Sequence, residues 1–394
     1  MEKKKKNRTI NMWLYRTYIP VLMGLSRLIY GVKTDKSAIK NEQGPFLVLG
    51  NHTSPIDFLF FTACIYPEPL NYVVAQNMNY TKVYGAYIRR FGAISKKQFA
   101  ADISCIKNIK RNLDNGTSVL LFPEGRVSID GTTGFISPTI GKLIKWLGYP
   151  VVAGITKGGY TSNPKWGRKR SAGIELSVKV ILTRDEIAKM SQKEIAEKVT
   201  SSLNYDDNKR LVASGGKIKG KRLAEGIEKI LYKCPVCGEE FRITSKGNTF
   251  RCNACGSEFG YSDEGKLTGD APFGYISDWY AYERENIKKL VEDEDFCLSA
   301  KVVCSINNDK IKRFSDIGEG KLTVSKDGIR YEGESGEYRN LYFKLENRDT
   351  IAFKMGENLE VSDDDNIFRF TFTEGLYSTK FVLAIEELHK KYFG

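Results

Sequence analysis

The chain has 394 residues, a length that predicts two or three globular domains. Hydrophobic residues make up 41% and charged residues 28%, which excludes collagen-like, low-complexity and wholly disordered proteins. A mean hydropathy of −0.36 excludes a protein with many membrane spans. The formal net charge of +13 is unevenly distributed along the chain. Residues 1–230 carry 38 basic and 18 acidic residues, whereas residues 231–394 carry 23 basic and 30 acidic residues. The first part is therefore expected to attract anions.

Residues 1–34 begin with the lysine cluster Lys3–Lys6 and continue into a segment rich in Trp, Tyr, Leu and Ile. Arg16 and Arg27 leave only ten uncharged residues between them, too few for a membrane span, and no small-residue cleavage site follows. Two interpretations remain: an amphipathic helix in the bilayer interface whose lysines meet anionic head groups, or a core helix with a basic tail.

The apolar run at residues 45–50 predicts a buried strand, and it leads into the segment Asn51–Asp57. Ser54 followed by Pro55 predicts a helix start, which places His52 at the strand exit and Asp57 in the first helical turn. A histidine and a carboxylate there can act as a general base and the group that orients it. The alternative is that Asp57 only caps the helix and His52 is a packed loop residue.

A second apolar strand, residues 119–122, runs into a turn that carries Glu124, Gly125 and Arg126. Arg126 is suited to bidentate phosphate binding, and Gly125 allows backbone amides to approach an anion; the alternative is a turn with a solvated arginine. A basic patch with Lys96 and Lys97 lies between the two segments. A helical stretch at residues 141–147 and a strand-like run at 149–155 complete the pattern of an α/β domain.

The segments Asn51–Asp57 and Phe122–Ser128, with Gly92–Lys97 between them and Pro150–Ile155 after them, together resemble the four sequence blocks of the glycerolipid acyltransferase family typified by 1-acylglycerol-3-phosphate acyltransferase. The resemblance covers about residues 10–205. The chain departs from the family pattern in three of these blocks. Lys96 and Lys97 stand near the usual arginine of the second block, Arg126 and Val127 replace the usual Thr-Arg, and Ala153 replaces a proline.

This resemblance implies an enzyme on the cytoplasmic face of a membrane, peripheral and monotopic, that moves an acyl group from acyl-CoA or acyl-acyl carrier protein to the hydroxyl of lysophosphatidate. It implies that His52 is the base, oriented by Asp57, and that backbone N–H groups at the helix start hold the oxyanion. It implies that the acceptor phosphate is placed by five residues: Lys96, Lys97, Glu124, Gly125 and Arg126. The expected partners are the phospholipid surface, the lysophospholipid and the acyl donor.

Two Cys-x-x-Cys pairs, Cys234/Cys237 and Cys252/Cys255, are each followed by glycine and are separated by fourteen residues. This spacing predicts a zinc ribbon with a structural zinc ion, and a redox dithiol is disfavoured because two matched pairs occur in series. The other four cysteines, Cys64, Cys105, Cys297 and Cys304, are expected to be buried small hydrophobes. Residues 206–230, rich in Asp, Gly and Lys, are predicted to be an exposed linker.

A helix is predicted from residue 277 to about 290, followed by alternating aromatic strands and an amphipathic terminal helix. This region looks like a pleckstrin-homology-like barrel, for which we expect a scaffolding or regulatory role. The expected organisation is an interfacial segment (1–34), an α/β acyltransferase domain (35–205), a linker (206–230), a zinc ribbon (231–262), a helical connector (263–295) and a mostly antiparallel β module (296–394). The combination resembles a bacterial branch of the family.

Three alternative functions remain: an acyltransferase for another lysophospholipid, a catalytically silent lipid-binding protein, and a zinc-ribbon protein that binds nucleic acid. The presence of both His52 and Asp57 argues against a silent protein. No nucleic-acid partner is expected, because the cysteine pairs lie in the acidic part of the chain and the positive charge gathers around the phosphate-type segments.

Overall fold

The structure, a computed structural model, describes residues 12–81, 85, 86, 88, 91–99, 102–308, 310–334, 336–346, 348–363 and 366–394. The lysine cluster Lys3–Lys6 lies outside the described residues. Within them, the paired strands form three sheets, which are taken here in chain order.

The first sheet has seven strands in the order β1-β7-β6-β2-β5-β3-β4, and all neighbours are parallel except the antiparallel pair β6 and β7. Its strands are β1 (Lys33–Asp35), β2 (Leu47–Gly50), β3 (Leu70–Ala75), β4 (Ile94–Lys96), β5 (Ser118–Leu121), β6 (Val151–Lys157) and β7 (Glu175–Leu182). The three strands predicted from apolar runs are confirmed as β2, β5 and β6. Because β2 and β5 are parallel neighbours, the segments that follow them meet at one edge of the sheet.

Helices cover both faces of this sheet. They are α1 (Met12–Tyr30), α2 (Asp57–Ile65), α3 (Ile103–Asp114), α4 (Thr139–Leu147), the single turn α5 (Gly159–Ser162), α6 (Arg184–Lys189) and α7 (Gln192–Leu203). On β2, Val48 packs with Phe60 and Phe61 of α2, whereas Leu47 packs on the opposite face with Ile144 of α4. Burial on both faces explains why the central strands read as continuous apolar runs.

Helix α2 begins at Asp57, and Ser54 does not cap it as the sequence predicts. Residues 54–57 form a turn in which the N–H of Asp57 donates to the Ser54 carbonyl oxygen at 3.2 Å. The Asp57 carboxylate accepts hydrogen bonds from the N–H groups of Thr53 and Ser54, so the aspartate organises the preceding loop. Asp57 does lie in the first helical turn, as predicted.

Helix α1 buries a narrow face and exposes a broad one. Tyr15 and Ile19 are buried, and the Tyr15 ring stacks on Tyr66 with centroids 6.2 Å apart. The exposed apolar side chains of α1 include Trp13, Tyr18, Val21, Leu25, Leu28 and Ile29. Among the described residues, no helix is both long enough and apolar enough to cross a membrane.

Residues 206–230 are not the exposed linker that the sequence predicts. They include helix α8 (Asp207–Ala213) and a 3-10 turn (Ile227–Lys229). Their apolar side chains are buried in a common core: Leu211, Ile218, Leu223, Ala224, Ile227 and Ile230. The polar residues that suggested a linker alternate with these apolar positions, so composition concealed the packing.

The second sheet is small and carries the four paired cysteines. Its order is β11-β10-β9-β8, from β8 (Ile243–Lys246), β9 (Thr249–Cys252), β10 (Glu258–Tyr261) and β11 (Leu267–Gly269), all antiparallel. Phe250 and Phe259 of this sheet pack against Trp279 of helix α9 (Ile276–Leu290), with centroids 5.7 and 5.0 Å from the indole. The small sheet is therefore supported by a large aromatic residue outside it.

The third sheet is antiparallel, in the order β15-β14-β13-β12-β18-β17-β16, and is followed by helix α10 (Ser378–Phe393). Its strands are β12 (Cys297–Asn308), β13 (Arg313–Ser325), β14 (Gly328–Gly333), β15 (Asn340–Phe343), β16 (Ala352–Lys354), β17 (Asn358–Ser362) and β18 (Ile367–Phe372). This confirms an antiparallel C-terminal region. Cys297, expected to be buried, is exposed at the start of β12, whereas the other three unpaired cysteines are buried as predicted.

One apolar core joins the small sheet, the residue 206–230 segment and the C-terminal sheet. It also includes Ile129, Tyr160 and Trp166 from the α/β domain, and the Trp166 ring meets Tyr261 of β10 edge-on at 6.3 Å. Regions that appear separate in the sequence therefore share one apolar core. A substitution that disturbs the packing of one region is expected to affect the others.

Candidate active site

His52 and Asp57 are brought together by the loop between β2 and α2. Asn51, immediately after β2, accepts from the N–H of Thr156 at 2.7 Å and donates from its side-chain amide to the Thr156 carbonyl at 3.1 Å, which ties the strand exit to β6. His52 Nδ1 then lies 3.2 Å from Asp57 Oδ2. Because Nδ1 faces the carboxylate, Nε2 is the ring nitrogen left for a substrate proton.

The histidine ring is held on its flat side by Phe122, which follows β5. The two ring centroids are 4.1 Å apart with an interplanar angle of 13°. The carbonyl oxygen of His52 accepts from the N–H of Ser128 at 2.7 Å. The segments after β2 and β5 therefore contact each other directly. His52 lines a large cavity beside them.

The carboxylate of Asp57 is fully buried and heavily hydrogen-bonded. Burial raises the pKa of Asp57, while hydrogen bonds from His52 and from the N–H groups of Thr53 and Ser54 act in the opposite direction. These two N–H groups donate to Oδ2 at 2.7 and 2.8 Å. They are therefore not available to hold an oxyanion, and the expectation that the helix-start amides do so is wrong for these two groups.

Glu124 contacts the backbone of the site. Its Oε1 accepts from the N–H of His52 at 2.8 Å, and its Oε2 accepts from the N–H of Gly134 at 2.7 Å. The side chain is buried, and burial raises the pKa of Glu124 to about 7. Since both oxygens accept from backbone donors, Glu124 holds the loop between β2 and α2 that carries His52.

This raised pKa predicts a pH-dependent stability. Glu124 binds its proton more tightly in the folded state than in the unfolded state. Its contribution to the free energy of unfolding is therefore fully present below pH 4.5 and is lost as pH rises through about 7. We expect the unfolding free energy of the wild type to fall by about 2–3 kcal/mol between pH 5 and pH 8 relative to Glu124→Gln. Denaturant unfolding of both proteins at the two pH values measures this, and an unchanged difference would contradict it.

Gly125 is required by the geometry of its turn. Its φ is +70°, and an added Cβ would lie 2.9 Å from the Phe99 ring. Its carbonyl oxygen accepts from the side-chain amide of Gln98 at 2.7 Å. A side chain at this position would therefore be strained and would clash with its neighbour.

Arg126 is already occupied by the C-terminal region. Its guanidinium forms an ion pair with Glu386 of α10 at 2.5 Å, donates to Thr350 Oγ1 at 2.5 Å, and lies 5.6 Å from the Phe353 ring centroid. Glu386 also pairs with Arg284 of α9 at 2.7 Å. The residue expected to bind a phosphate thus joins the Phe122–Ser128 segment to the C-terminal region.

This arrangement predicts a structural role for Arg126. The side chains of Arg126 and Glu386 are only 15% and 10% exposed. Glu386→Gln removes the carboxylate that pairs with both Arg126 and Arg284, so it should lower the unfolding free energy by about 3–5 kcal/mol. Arg126→Ala should cost less, because Glu386 keeps its pair with Arg284. The double variant should lose less than the sum of the two.

Denaturant unfolding of the single and double variants measures this coupling. The matched control is Arg168→Ala, since Arg168 pairs with Glu225 at 2.7 Å but is 55% exposed. That control should cost less than about 1 kcal/mol. Additive single effects of the same small size at Arg126 and Glu386 would show that the contact contributes no stability.

Lys96 and Lys97 line the same cavity as His52. Lys96 Nζ donates to the Lys97 carbonyl at 3.0 Å, and the Lys97 N–H donates to Asp102 Oδ2 at 3.0 Å. Their side chains are half-buried at the end of β4. The structure therefore brings both predicted lysines to the cavity that His52 lines.

The cavity has a volume of about 1780 Å³ and two chemically different sides. One side, between α3 and α4, is largely apolar and is lined by Ile103, Ile106, Ile109, Ile140, Leu143 and Trp146. The other is polar and includes Lys165, Arg348, Glu360, Arg369 and His389, the last four of which come from the C-terminal region. This shape suits a substrate with an apolar chain and a charged end.

The cluster of four cysteines fits a zinc ion. The sulfurs of Cys234, Cys237, Cys252 and Cys255 all lie within 4.8 Å of one another, with two pairs at 3.9 and 3.8 Å. Four thiolates at about 2.3 Å from one zinc ion are about 3.8 Å apart, so the observed spacing matches tetrahedral coordination. The four predicted ligands are thus brought together, away from the His52–Asp57 pair in sequence.

Several site residues were not found by sequence reasoning. They are Phe122 as the ring that stacks on His52, Thr350 and Glu386 as partners of Arg126, and Lys165 as a cationic wall of the cavity. Phe122 belongs to the predicted segment, so its place beside His52 was accessible in principle. The others depend on long-range packing, for which no local pattern exists.

Comparison with known proteins gives one family. Residues 32–157 match the family model described as Acyltransferase. The solved structure of the 1-acyl-sn-glycerophosphate (LPA) acyltransferase PlsC from Thermotoga maritima is similar over 51% of this chain and 81% of its own, with 19% sequence identity and a TM-score of 0.39. None of the curated proteins matches. The matched residues contain His52, Asp57 and the Phe122–Ser128 segment, so the chain contains an acyltransferase-like α/β domain.

Proposed function

We propose that the protein transfers a fatty acyl group from a thioester donor to the hydroxyl of lysophosphatidate, forming phosphatidate. The observation that carries this proposal is His52, which lines the two-sided cavity and is paired with the buried Asp57, inside the region that matches the acyltransferase model. A general base that lies between the apolar side and the polar side of this cavity suits a reaction between a lipid hydroxyl and an acyl thioester.

His52 Nε2 takes the hydroxyl proton of the acceptor while the oxygen attacks the thioester carbonyl, and Asp57 stabilises the imidazolium that forms. The C–S bond then breaks, an ester is formed, and the thiolate leaves with the proton from His52 as a free thiol. No acyl-enzyme is needed, because the acceptor hydroxyl is itself the nucleophile. Glu124 contributes by holding the His52 backbone in place.

The size of the cavity supports two lipid-like substrates. Sites for drug-sized molecules usually measure about 300–1,000 Å³, and this cavity is larger. The side between α3 and α4 would hold the acyl chain of the donor, which is acyl-CoA or an acyl-acyl carrier protein. The polar side, which includes Lys96 and Lys97, would hold the acceptor head group.

The cluster of four cysteines is proposed to hold a structural zinc ion in a ribbon module. Its closed set of four thiolates offers no position for a substrate, which favours folding over catalysis. The C-terminal region is proposed to be pleckstrin-homology-like, supported by a four-stranded and a three-stranded meander followed by one helix. Its contribution to the polar cavity wall supports a role in forming the site.

We further propose that the protein lies on the cytoplasmic face of a membrane as a peripheral, monotopic enzyme. Two exposed apolar regions support this: the outer face of α1, and the edge of the cavity at Ile103, Phe135 and Trp146. Lys107 and Lys142 are exposed beside the cavity edge, which suits anionic lipid.

This placement predicts weaker vesicle binding when charge is introduced on α1. Val21 and Leu28 are 62% and 82% exposed, so Val21→Glu with Leu28→Glu should leave the core intact and reduce binding to anionic vesicles at least about tenfold. Vesicle co-sedimentation measures this, with Ile311→Glu, on an exposed residue of the C-terminal region, as control. Deletion of residues 1–31 should also release the protein, and undiminished co-sedimentation of both variants would refute the placement.

The proposed reaction is tested with purified protein, an oleoyl thioester and a panel of acceptors with identical chains. Lysophosphatidate should be acylated fastest, and mass spectrometry of the products identifies the acceptor that is used. A second candidate is an acyltransferase for another lysophospholipid, favoured by the pairing of Arg126 with Glu386, which removes one expected phosphate contact. Preferred acylation of a lysophospholipid with a larger head group would select it.

A further inference from the structure

Lys165 lies on a loop that contacts the loop carrying His52. Two residues earlier, the side-chain amide of Asn163 donates to Ser54 Oγ at 3.1 Å, next to the turn that positions Asp57. Gly159, at the start of α5, is so close to this turn that an added Cβ would lie 2.1 Å from Thr53 Oγ1. The loop after β6 and the His52 loop are therefore in direct contact.

The residue after Lys165 anchors the loop from below. Trp166 is 1% exposed, and its indole N–H donates to the hydroxyl of Tyr160 at 2.8 Å. Pro164, on the other side, is also buried. With both neighbours buried, the backbone at Lys165 is held in place, and its side chain leaves the loop on the cavity side.

The Lys165 side chain is directed into the cavity and lacks a protein partner. It lines the cavity and is exposed there, and among the described residues no hydrogen bond or ion pair reaches its ammonium group. The surrounding protein removes water from it, and this desolvation lowers the pKa of Lys165. An ammonium group that lines the cavity and makes no hydrogen bond within the described residues is available to an anionic ligand.

The charged neighbours of Lys165 already have partners. Glu360 accepts from Arg369 at 2.7 and 2.9 Å and also from the side-chain amide of Asn77. Lys354 pairs with Glu357, and Arg126 pairs with Glu386. Lys165 is thus the cation of this group that is left for a ligand.

We propose that Lys165 binds the phosphate of the acceptor lipid, the role that the sequence pattern assigns to Arg126. The proposal rests on the proposed function, and it specifies which residue of the site selects a phosphomonoester. A phosphate dianion would neutralise Lys165 and accept a charge-assisted hydrogen bond from its ammonium group. Because the Lys165 loop contacts Ser54, a phosphate bound there would hold the glycerol hydroxyl on the His52 side of the cavity.

The test is direct binding, which does not depend on turnover. Wild type, Lys165→Met, Lys165→Arg and Lys169→Met are titrated calorimetrically with lysophosphatidate, with the uncharged monoacylglycerol of the same chain, and with coenzyme A. Lys169 is the matched control, since it is an exposed lysine on the same loop that does not line the cavity. Zinc content and circular dichroism check that each variant is folded.

Lys165→Met should weaken lysophosphatidate binding about 10–100-fold and leave monoacylglycerol binding unchanged, because one charge-assisted contact is lost. Lys165→Arg should retain most of the affinity, and Lys169→Met should behave as wild type. In turnover, Lys165→Met should raise KM for lysophosphatidate with a smaller change in kcat.

Equal lysophosphatidate affinity in Lys165→Met and wild type would overturn the proposal, and so would an equal loss for both acceptors. A loss confined to coenzyme A would assign Lys165 to the donor phosphates and also overturn it. If wild type binds lysophosphatidate but does not acylate it, the proposed function fails, while the binding comparison still decides the role of Lys165.

Discussion

Replacement of His52 by alanine is expected to reduce acyl transfer by about 10²–10⁴-fold, the usual contribution of a positioned general base. His52 is the only histidine in the α/β region, and the second histidine of the chain, His389, lies in α10. No other imidazole can therefore replace it from the same loop. Lysophosphatidate binding should be largely retained, since the anion contacts come from other residues.

Asp57→Asn should also lose a large part of the rate. The asparagine side chain lacks the negative charge that stabilises the imidazolium. Its NH₂ group would also face the N–H donors of Thr53 and Ser54, which donate to the Asp57 carboxylate. The matched control is Asp130→Asn, a buried aspartate that does not line the cavity and that accepts from the N–H of Thr132 at 3.0 Å; it should retain turnover. Near-normal turnover in His52→Ala, measured with one thioester and one lysolipid, would end the proposed mechanism.

The second large effect is expected from Cys252→Ser. The wild type should bind one zinc ion per chain, and the variant should bind almost none, because a structural site needs its four thiolates. Since Phe250 and Phe259 of the small sheet pack on Trp279, loss of the metal should destabilise this sheet together with its neighbours. Metal analysis and thermal unfolding measure the two effects.

The matched control is Cys297→Ser, an exposed cysteine outside the cluster, which should keep zinc and stability. Reduced wild-type protein without zinc would show that the cluster has another role. The chemical step should not require the metal, so loss of single-turnover acyl transfer on chelation, with the fold intact, would contradict a structural role.

The strands and the His52–Asp57 pair were predictable because their causes are local. A short apolar run before a polar loop indicates a buried strand, and β2 and β5 follow this rule. Parallel pairing of these two strands then brings His52 and Phe122 together. The cysteine cluster was predictable for the same reason, since Cys-x-x-Cys spacing alone places two sulfurs on one metal.

The features that the sequence did not show depend on partners that are distant in sequence. The phosphate contact of Arg126 stays a prediction, but nothing near Arg126 in the sequence shows that Glu386 lies beside it in the fold. Residues 206–230 appeared to be a linker because their buried leucines and isoleucines are scattered among lysines and glycines. The amides of Thr53 and Ser54 appeared free because their acceptor, Asp57, was assigned only to the histidine.

The most direct test of the central claim is a balanced acyl-transfer measurement with purified protein, a long-chain acyl thioester and lysophosphatidate. Free thiol and phosphatidate should form in equal amounts in wild type. Thiol release should stay at background without the acceptor, because no acyl-enzyme forms, and His52→Ala should form neither product at a comparable rate. Thiol release without phosphatidate, or phosphatidate formation that is unchanged in His52→Ala, would contradict the account.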